Sequence, residues 1–515
     1  MRKKATKAFE TLRPSGKKGD AAENPFGRKG FGNQESEVTV VTDKSTESGL
    51  EENHFRSLEE AIATGSVEIP RGSLLPLGEH RDSEDGIRAV QNPKNLHAVT
   101  FAGIFVFTAI LYFRPYELIP GLSGFTSMAL VAAAATLIVY IPTQIGALGN
   151  LTRTPVEIKC ALFLAVWAFV TIPIAKDPSL AWTEFSEVFI KTVIIFVVMV
   201  NTLTTRTRIK ALMWLGIGVG LMLSYQAIGQ YQKGEFQTEG YRVSIDFGGM
   251  FGNPNDMSIH LVIFIPLAFV LGLAAKNWLM KALYFSASGL MVAAVVVTQS
   301  RGGFLGILAL TGVIAWKLGR SHRFKTMVAT GVLLIGVLAF APGNYGIRVA
   351  SIFIPSLDPV GSSNQRIEAL QRSVIVTLRN PLGIGIGNSP IVGVHELGTH
   401  NAFTQVSSEL GWIPIIVYLI LLVYPVRRLD MMERDLYGKG EHSSLYFLSI
   451  GLQASIAAYM VSSFFASVAY LWYVYYPIAF SIGLRFIHAR NEASLQSSSA
   501  LVDDSAESGP DVSYA

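Results

Sequence analysis

Long apolar runs recur between residues 97 and 487, separated by short polar loops. Once such a run lies in hydrocarbon, it must satisfy each backbone N–H and C=O within the protein, which leaves a helix or a closed barrel. The runs are 15 to 21 residues long. That length suits helices, because about 20 residues cross a core of ~30 Å, whereas a barrel strand needs only about 10. Twelve spans are expected, at 97–113, 122–141, 158–174, 188–203, 211–228, 258–275, 282–298, 303–317, 326–342, 405–425, 446–466 and 469–487. Composition agrees: 50% of the 515 residues are hydrophobic and 16% charged, against roughly 25% charged in soluble domains. The expected fold class is all-α and polytopic, with a long extracytoplasmic loop before the tenth helix.

Lysine and arginine set the orientation, because they accumulate in short cytoplasmic loops. One set of short loops carries fourteen, from Arg153 and Arg206 through Lys317 and Arg320 to Arg434 and Lys439; the alternate short loops carry five, Arg114, Lys176, Lys233, Arg242 and Arg301, and the longer loop 343–404 adds four arginines to that second side, where a long loop counts for little. The richer set is assigned to the cytoplasm together with both termini, which leaves loops 230–257 and 343–404 outside. Residues 1–96 contain no Trp, Tyr or Cys and are rich in Ser, Gly, Glu and Lys. They cannot bury a core and are expected to be a disordered cytoplasmic tail. Their basic start is followed by no apolar stretch, so they do not read as a cleaved signal. That basic arm suits either anionic head groups or plain solvation. Residues 488–515 are expected to be a second disordered tail, which leaves 97–487 as the transmembrane domain. Cys160, the single cysteine, excludes an intramolecular disulfide. No phosphate-binding loop, CxxC pair, HExxH or GxSxG motif occurs, so nucleotide-driven, zinc-peptidase and serine-hydrolase chemistry find no support.

Ionisable residues at membrane depth are expensive and point to function. Lys191, His260, Arg301 and Glu409 all fall toward the extracytoplasmic ends of their spans. For Lys191 and Glu409, snorkelling toward the interface explains the placement equally well. Arg301 stands in Thr298-Gln-Ser-Arg-Gly-Gly-Phe304, where Gly302 and Gly303 permit a tight turn and the approach of a ligand to the backbone. Its guanidinium suits phosphate oxygens; the alternative role is an interfacial anchor. Farther on, Ser362-Ser-Asn-Gln-Arg366 opens a segment with apolar residues at 367, 370, 374 and 378. That spacing predicts an amphipathic helix over the site, capped by Ser362 or Ser363. A cation at Arg366, near the helix start, opposes the helix dipole unless it serves a ligand. A glycine-rich turn, Asn380-Pro-Leu-Gly-Ile-Gly-Ile-Gly-Asn388, ends that helix. His400, at the mouth of span ten, could take a proton from a sugar hydroxyl, with Asn401 orienting substrate or ring; taken alone, a loop histidine is more often just polar surface, as His395 and His442 are expected to be. No metal is expected, because no second ligand lies at suitable spacing.

Gly252-Asn-Pro-Asn255, Ser300-Arg301-Gly302, the Arg366 helix leading into Asn380-Pro-Leu-Gly-Ile-Gly385, and His400-Asn401 with Glu409-Leu-Gly411 occur in that order. Together they resemble the O-antigen ligase and polymerase superfamily of bacterial membrane glycosyltransferases. The resemblance covers roughly 97–487 and is densest between 240 and 425. It implies transfer of a glycan from undecaprenyl diphosphate to an acceptor hydroxyl at the periplasmic face of the inner membrane, without a cofactor. The acceptor could be lipid A-core, another lipid-linked repeat unit, or protein Ser or Thr. It also implies diphosphate binding by Arg301 and Arg366 and a catalytic base at His400, with Arg242, Asn255, Asn401 and Glu409 around the substrate. The competing reading is a flippase or polysaccharide exporter, which would need a cationic path across the whole bilayer; here the unexplained cations lie on one side.

The orientation has a direct consequence. Cysteines introduced into 343–404 should react with an impermeant maleimide added outside intact spheroplasts, and cysteines at 434–442 should not. The reverse labelling pattern would remove the outer-face site altogether.

Overall fold

The computed structural model describes residues 96–507, except 123, 237–240, 246–250, 340, 342–344, 352–353, 355–361, 394–397 and 442. The N-terminal tail through 95, His395, His442 and residues 508–515 lie outside the described residues. Among the described residues the chain is helical, without a β-strand. The principal helices are α1 (Ala98–Phe113), α2 (Met128–Leu148), α3 (Val156–Val170), α4 (Ile190–Thr202), α5 (Arg206–Lys233), α6 (Pro254–Ala274), α7 (Trp278–Val297), α8 (Arg301–Leu318), α9 (Arg323–Ala339), α10 (Ser362–Arg379), α11 (Ala402–Glu409), α12 (Trp412–Gly438), α13 (Ser444–Ser462) and α14 (Tyr475–Glu507).

Seven of these are long and apolar enough to cross a membrane: α2, α5, α6, α7, α8, α12 and α13, the last extended by a 3-10 turn to Phe465. Their starts follow from local chemistry. Asn253 accepts a hydrogen bond from the Asn255 amide and is followed by Pro254 at the first helical position, which lacks the N–H that would go unpaired there. Thr205, Asn277 and Ser300 cap α5, α7 and α8 in the same way. Helix α6 is buried almost throughout and packs against α5, α7, α8 and α13, so it forms the centre. Large apolar side chains such as Ile138, Trp278, Val332 and Ile335 stay exposed on the outside, as lipid-facing positions require.

Each expected span coincides with a helix, but several boundaries differ. The second begins at Met128 rather than 122, because a 3-10 turn at Pro120–Leu122 precedes it. The tenth, expected as one run from 405, is broken at Gly411 into α11 and α12. Gly411 has φ +97° and ψ −167°, a combination open essentially to glycine alone. Residues 488–507, expected to begin a disordered tail, continue α14. Lys439 Nζ holds Glu492 at 2.7 Å, and His488 Nε2 lies 3.3 Å from Asp435, which ties this extension to the end of α12.

A Cβ at Gly411 would stand 2.1 Å from the Pro381 carbonyl oxygen. Gly411→Ala should therefore lower stability by about 1–3 kcal/mol, read as a fall in Tm of the detergent-solubilised protein. Gly289→Ala is the control: a Cβ there meets nothing within 4 Å, and it should leave Tm unchanged or slightly higher.

Candidate active site

The starts of three helices meet at one end of the bundle. Arg301 is the first residue of α8, Arg366 lies five residues into α10, and His400 and Asn401 immediately precede α11. Their side chains line a cavity of about 250 Å³, together with Ser351, Thr399, Ile367, Leu370, Phe464 and Phe465. Helix N-termini present unpaired N–H groups and partial positive charge, so a cavity at three of them favours anions.

Arg301 is held at the start of α8 by the turn before it. Ser300 Oγ accepts from the Gly303 amide at 3.1 Å and donates to Asn255 Oδ1 at 2.9 Å. The glycines after Arg301 act otherwise than the sequence suggested. Neither has a positive φ; the left-handed residue of this turn is Gln299, with φ 52°. A Cβ on Gly302 would stand 2.9 Å from Phe465 Cβ, and one on Gly303 would stand 2.8 Å from Ser258 Cβ. They let α8 close against α13 and α6, which also brings Phe465 to the cavity.

Helix α10 covers the apolar spacing at 367, 370, 374 and 378, but Ser362 and Ser363, expected as its cap, are its first two helical residues. All four of these apolar residues are exposed, and Ile367 and Leu370 among them line the cavity. The glycine-rich turn after it is left-handed at Gly383, Gly385 and Gly387. It docks on the end of α11: Ile384 N donates to Ser408 O at 3.0 Å and Gly385 N to Glu409 O at 2.9 Å. Glu409 completes this joint, its carboxylate accepting from the amides of Gly387 (2.9 Å) and Ser389 (3.3 Å).

His400 adopts φ 48°, a left-handed conformation that few residues other than glycine take, histidine more readily than most. Asn401 is committed to the backbone as the cap of α11, its Oδ1 accepting from Phe403 N (2.9 Å) and Thr404 N (3.2 Å). Burial holds the imidazole below its usual pKa, and the Arg366 charge lowers it further. Both effects favour the neutral imidazole.

Of the residues expected from sequence, the cavity brings together Arg301, Arg366, His400 and Asn401. It does not bring in Arg242, Asn255 or Glu409. The first two are buried behind it, with Arg242 donating to Asn255 Oδ1 at 3.0 Å; Glu409 serves the glycine turn. Lys191 pairs with Glu187 at the surface, and His260 packs among Tyr112, Phe251 and Phe264. Sequence reasoning missed Phe464 and Phe465, which sit on the 3-10 turn after α13; the only signal was an aromatic pair at the end of an apolar run.

Residues 286–419 match the model of the O-antigen ligase family, which supports the resemblance to the O-antigen ligase and polymerase superfamily. All the polar residues lining the cavity fall inside that segment. No curated protein matches the chain.

If His400 acts as a base, only its neutral form works. Activity should then stay level through neutral pH and fall only below the usual imidazole range. Arg366→Gln removes a lowering charge, so the acid limb of its residual activity should move to higher pH. A limb in the same place as wild type would separate His400 from Arg366.

Proposed function

We propose that this protein transfers a glycan from undecaprenyl diphosphate to an acceptor hydroxyl at the extracytoplasmic face of a bacterial inner membrane, through twelve spans with both termini in the cytoplasm. The observation that carries the reading is one cavity lined by two arginines, a histidine and an apolar wall. The acceptor oxygen attacks the anomeric carbon from the face opposite the diphosphate. The bond from that carbon to the diphosphate oxygen breaks, and configuration inverts. His400 takes the hydroxyl proton, while the charge developing on the departing diphosphate is met by Arg301 and Arg366. Cations fixed in advance around a leaving group supply the largest share of such catalysis. Ile367, Leu370, Phe464 and Phe465 offer an apolar surface to the first isoprenes of the carrier.

The acceptor that fits best is another lipid-linked repeat unit, which makes the activity a polymerisation in O-antigen or exopolysaccharide assembly; lipid A-core and protein hydroxyls are the other candidates. Single repeat units on the acceptor in a deletion strain would indicate a polymerase. Loss of all attached glycan, with accumulation of lipid-linked chains, would indicate a ligase.

Arg301→Ala should abolish transfer while the protein remains in the membrane. His400→Gln keeps size and hydrogen bonding but removes the proton acceptor. It should slow transfer roughly 10²–10⁴-fold, the worth of positioned acid–base catalysis, and still bind the lipid-linked donor. Proteoliposomes loaded with lipid-linked glycan provide the assay: lengthened or transferred glycan supports the enzyme, and glycan merely relocated across the bilayer would make the protein a flippase instead.

A further inference from the structure

The turn that delivers Arg301 to the cavity is gripped from behind by two other buried arginines. Arg242 comes from the stretch between α5 and α6, and its Nε donates to the Thr298 carbonyl at 3.2 Å. Arg348 comes from the short helix Tyr345–Ala350 between α9 and α10, and its Nε donates to the Gln299 carbonyl at 2.8 Å. Their exposures are 2% and 4%. Each is anchored in turn, Arg242 on Asn255 and Arg348 on the hydroxyl of Tyr241. Asn255 also accepts from Ser300. Three consecutive residues before Arg301 are therefore held, each through a different side chain.

The conformation of the middle one makes this grip consequential. Gln299 sits at φ 52°, a left-handed conformation that strains an L-residue other than glycine. Such strain persists only where the surroundings over-determine it. Here they are Arg348 on the Gln299 carbonyl, Arg242 on the preceding one, and the Gln299 side-chain Nε2 donating to the Tyr241 carbonyl at 3.3 Å. Released, the turn would relax toward φ < 0 and redirect the first residue of α8.

We propose that Arg348 and Arg242 are positioning residues, clamping the 298–300 backbone so that Arg301 points into the cavity; this rests on the diphosphate role proposed for Arg301. Neither residue lines the cavity, so they act through Arg301 rather than on the ligand. The fork of a guanidinium sets the direction of the bond, so lysine keeps the charge at 348 and loses the grip.

The test uses the full-length protein in nanodiscs, with undecaprenyl diphosphate as the probe. Arg348→Lys should weaken binding roughly ten-fold, the worth of a misaligned hydrogen bond with one charged partner. Arg301→Ala should weaken it at least as much, and the double variant no further. Independent sites add their effects while coupled ones do not. A double variant weaker by the product of the single losses would overturn the clamp, as would an Arg348→Lys protein that binds like wild type. Amide exchange over 298–303 gives a readout that requires no ligand: it should rise in Arg348→Lys while α6 and α13 keep their protection. If wild type binds no undecaprenyl diphosphate, the functional reading fails, and this exchange measurement still decides the clamp; unchanged exchange over 298–303 sinks it.

Discussion

The close approach of α8 to α13 and α6 decides where a cavity can exist in this bundle. It depends on missing side chains: at Gly302, Gly303 and Gly306 a Cβ would stand within 3.0 Å of an atom of Phe465, Ser258 or Ser462. With the helices drawn together, Ser462 Oγ donates to the Gly302 carbonyl at 2.9 Å, and the aromatic turn after α13 lies beside Arg301. Interiors packed this tightly transmit small shifts, so a side chain added at these glycines would move the cavity wall itself.

Helix α8 is cationic at both ends, and the two ends are handled differently. At its C-terminal end Arg320 meets both carboxylate oxygens of Glu433, at 2.6 and 2.7 Å, and Lys317 meets Glu433 and Asp430. Glu433 is fully buried, and a buried carboxylate of this kind is tolerable only when paired. This ion cluster ties α8 to α12 roughly 25 Å from Arg301, given 18 residues at about 1.5 Å rise. At the other end the arginines crowd toward a cavity walled by helix starts. An anion is the natural complement of that end, and the lipid diphosphate proposed above would also use the apolar wall.

Much of the site was legible as residue types. Arg301, Arg366 and His400 stood out because each is a cation or titratable group where the apolar pattern leaves no structural need for one, and α10 was legible because its spacing has a single helical reading. Glu409 shows the limit. A carboxylate at the end of an apolar run looks the same whether it meets a substrate or two backbone amides, and the choice depends on Gly387 and Ser389, some twenty residues away. Arg242 and Arg348 show it again, since their carbonyl partners at Thr298 and Gln299 carry no mark in the sequence.

By itself the sequence determined the all-helical membrane class, the approximate place of the helices and the residues able to hold an anion and take a proton. Those follow from local hydrophobic periodicity and side-chain chemistry, which the chain states residue by residue. Only the tertiary structure decided that four of the expected residues share one cavity, that the span expected from 405 breaks at Gly411, and that Gly302 and Gly303 serve helix packing rather than a turn. These depend on contacts between segments far apart in the chain. Whether a glycine admits a ligand, a turn or a neighbouring helix is settled by what lies within 3 Å of its missing Cβ, and no local pattern encodes that.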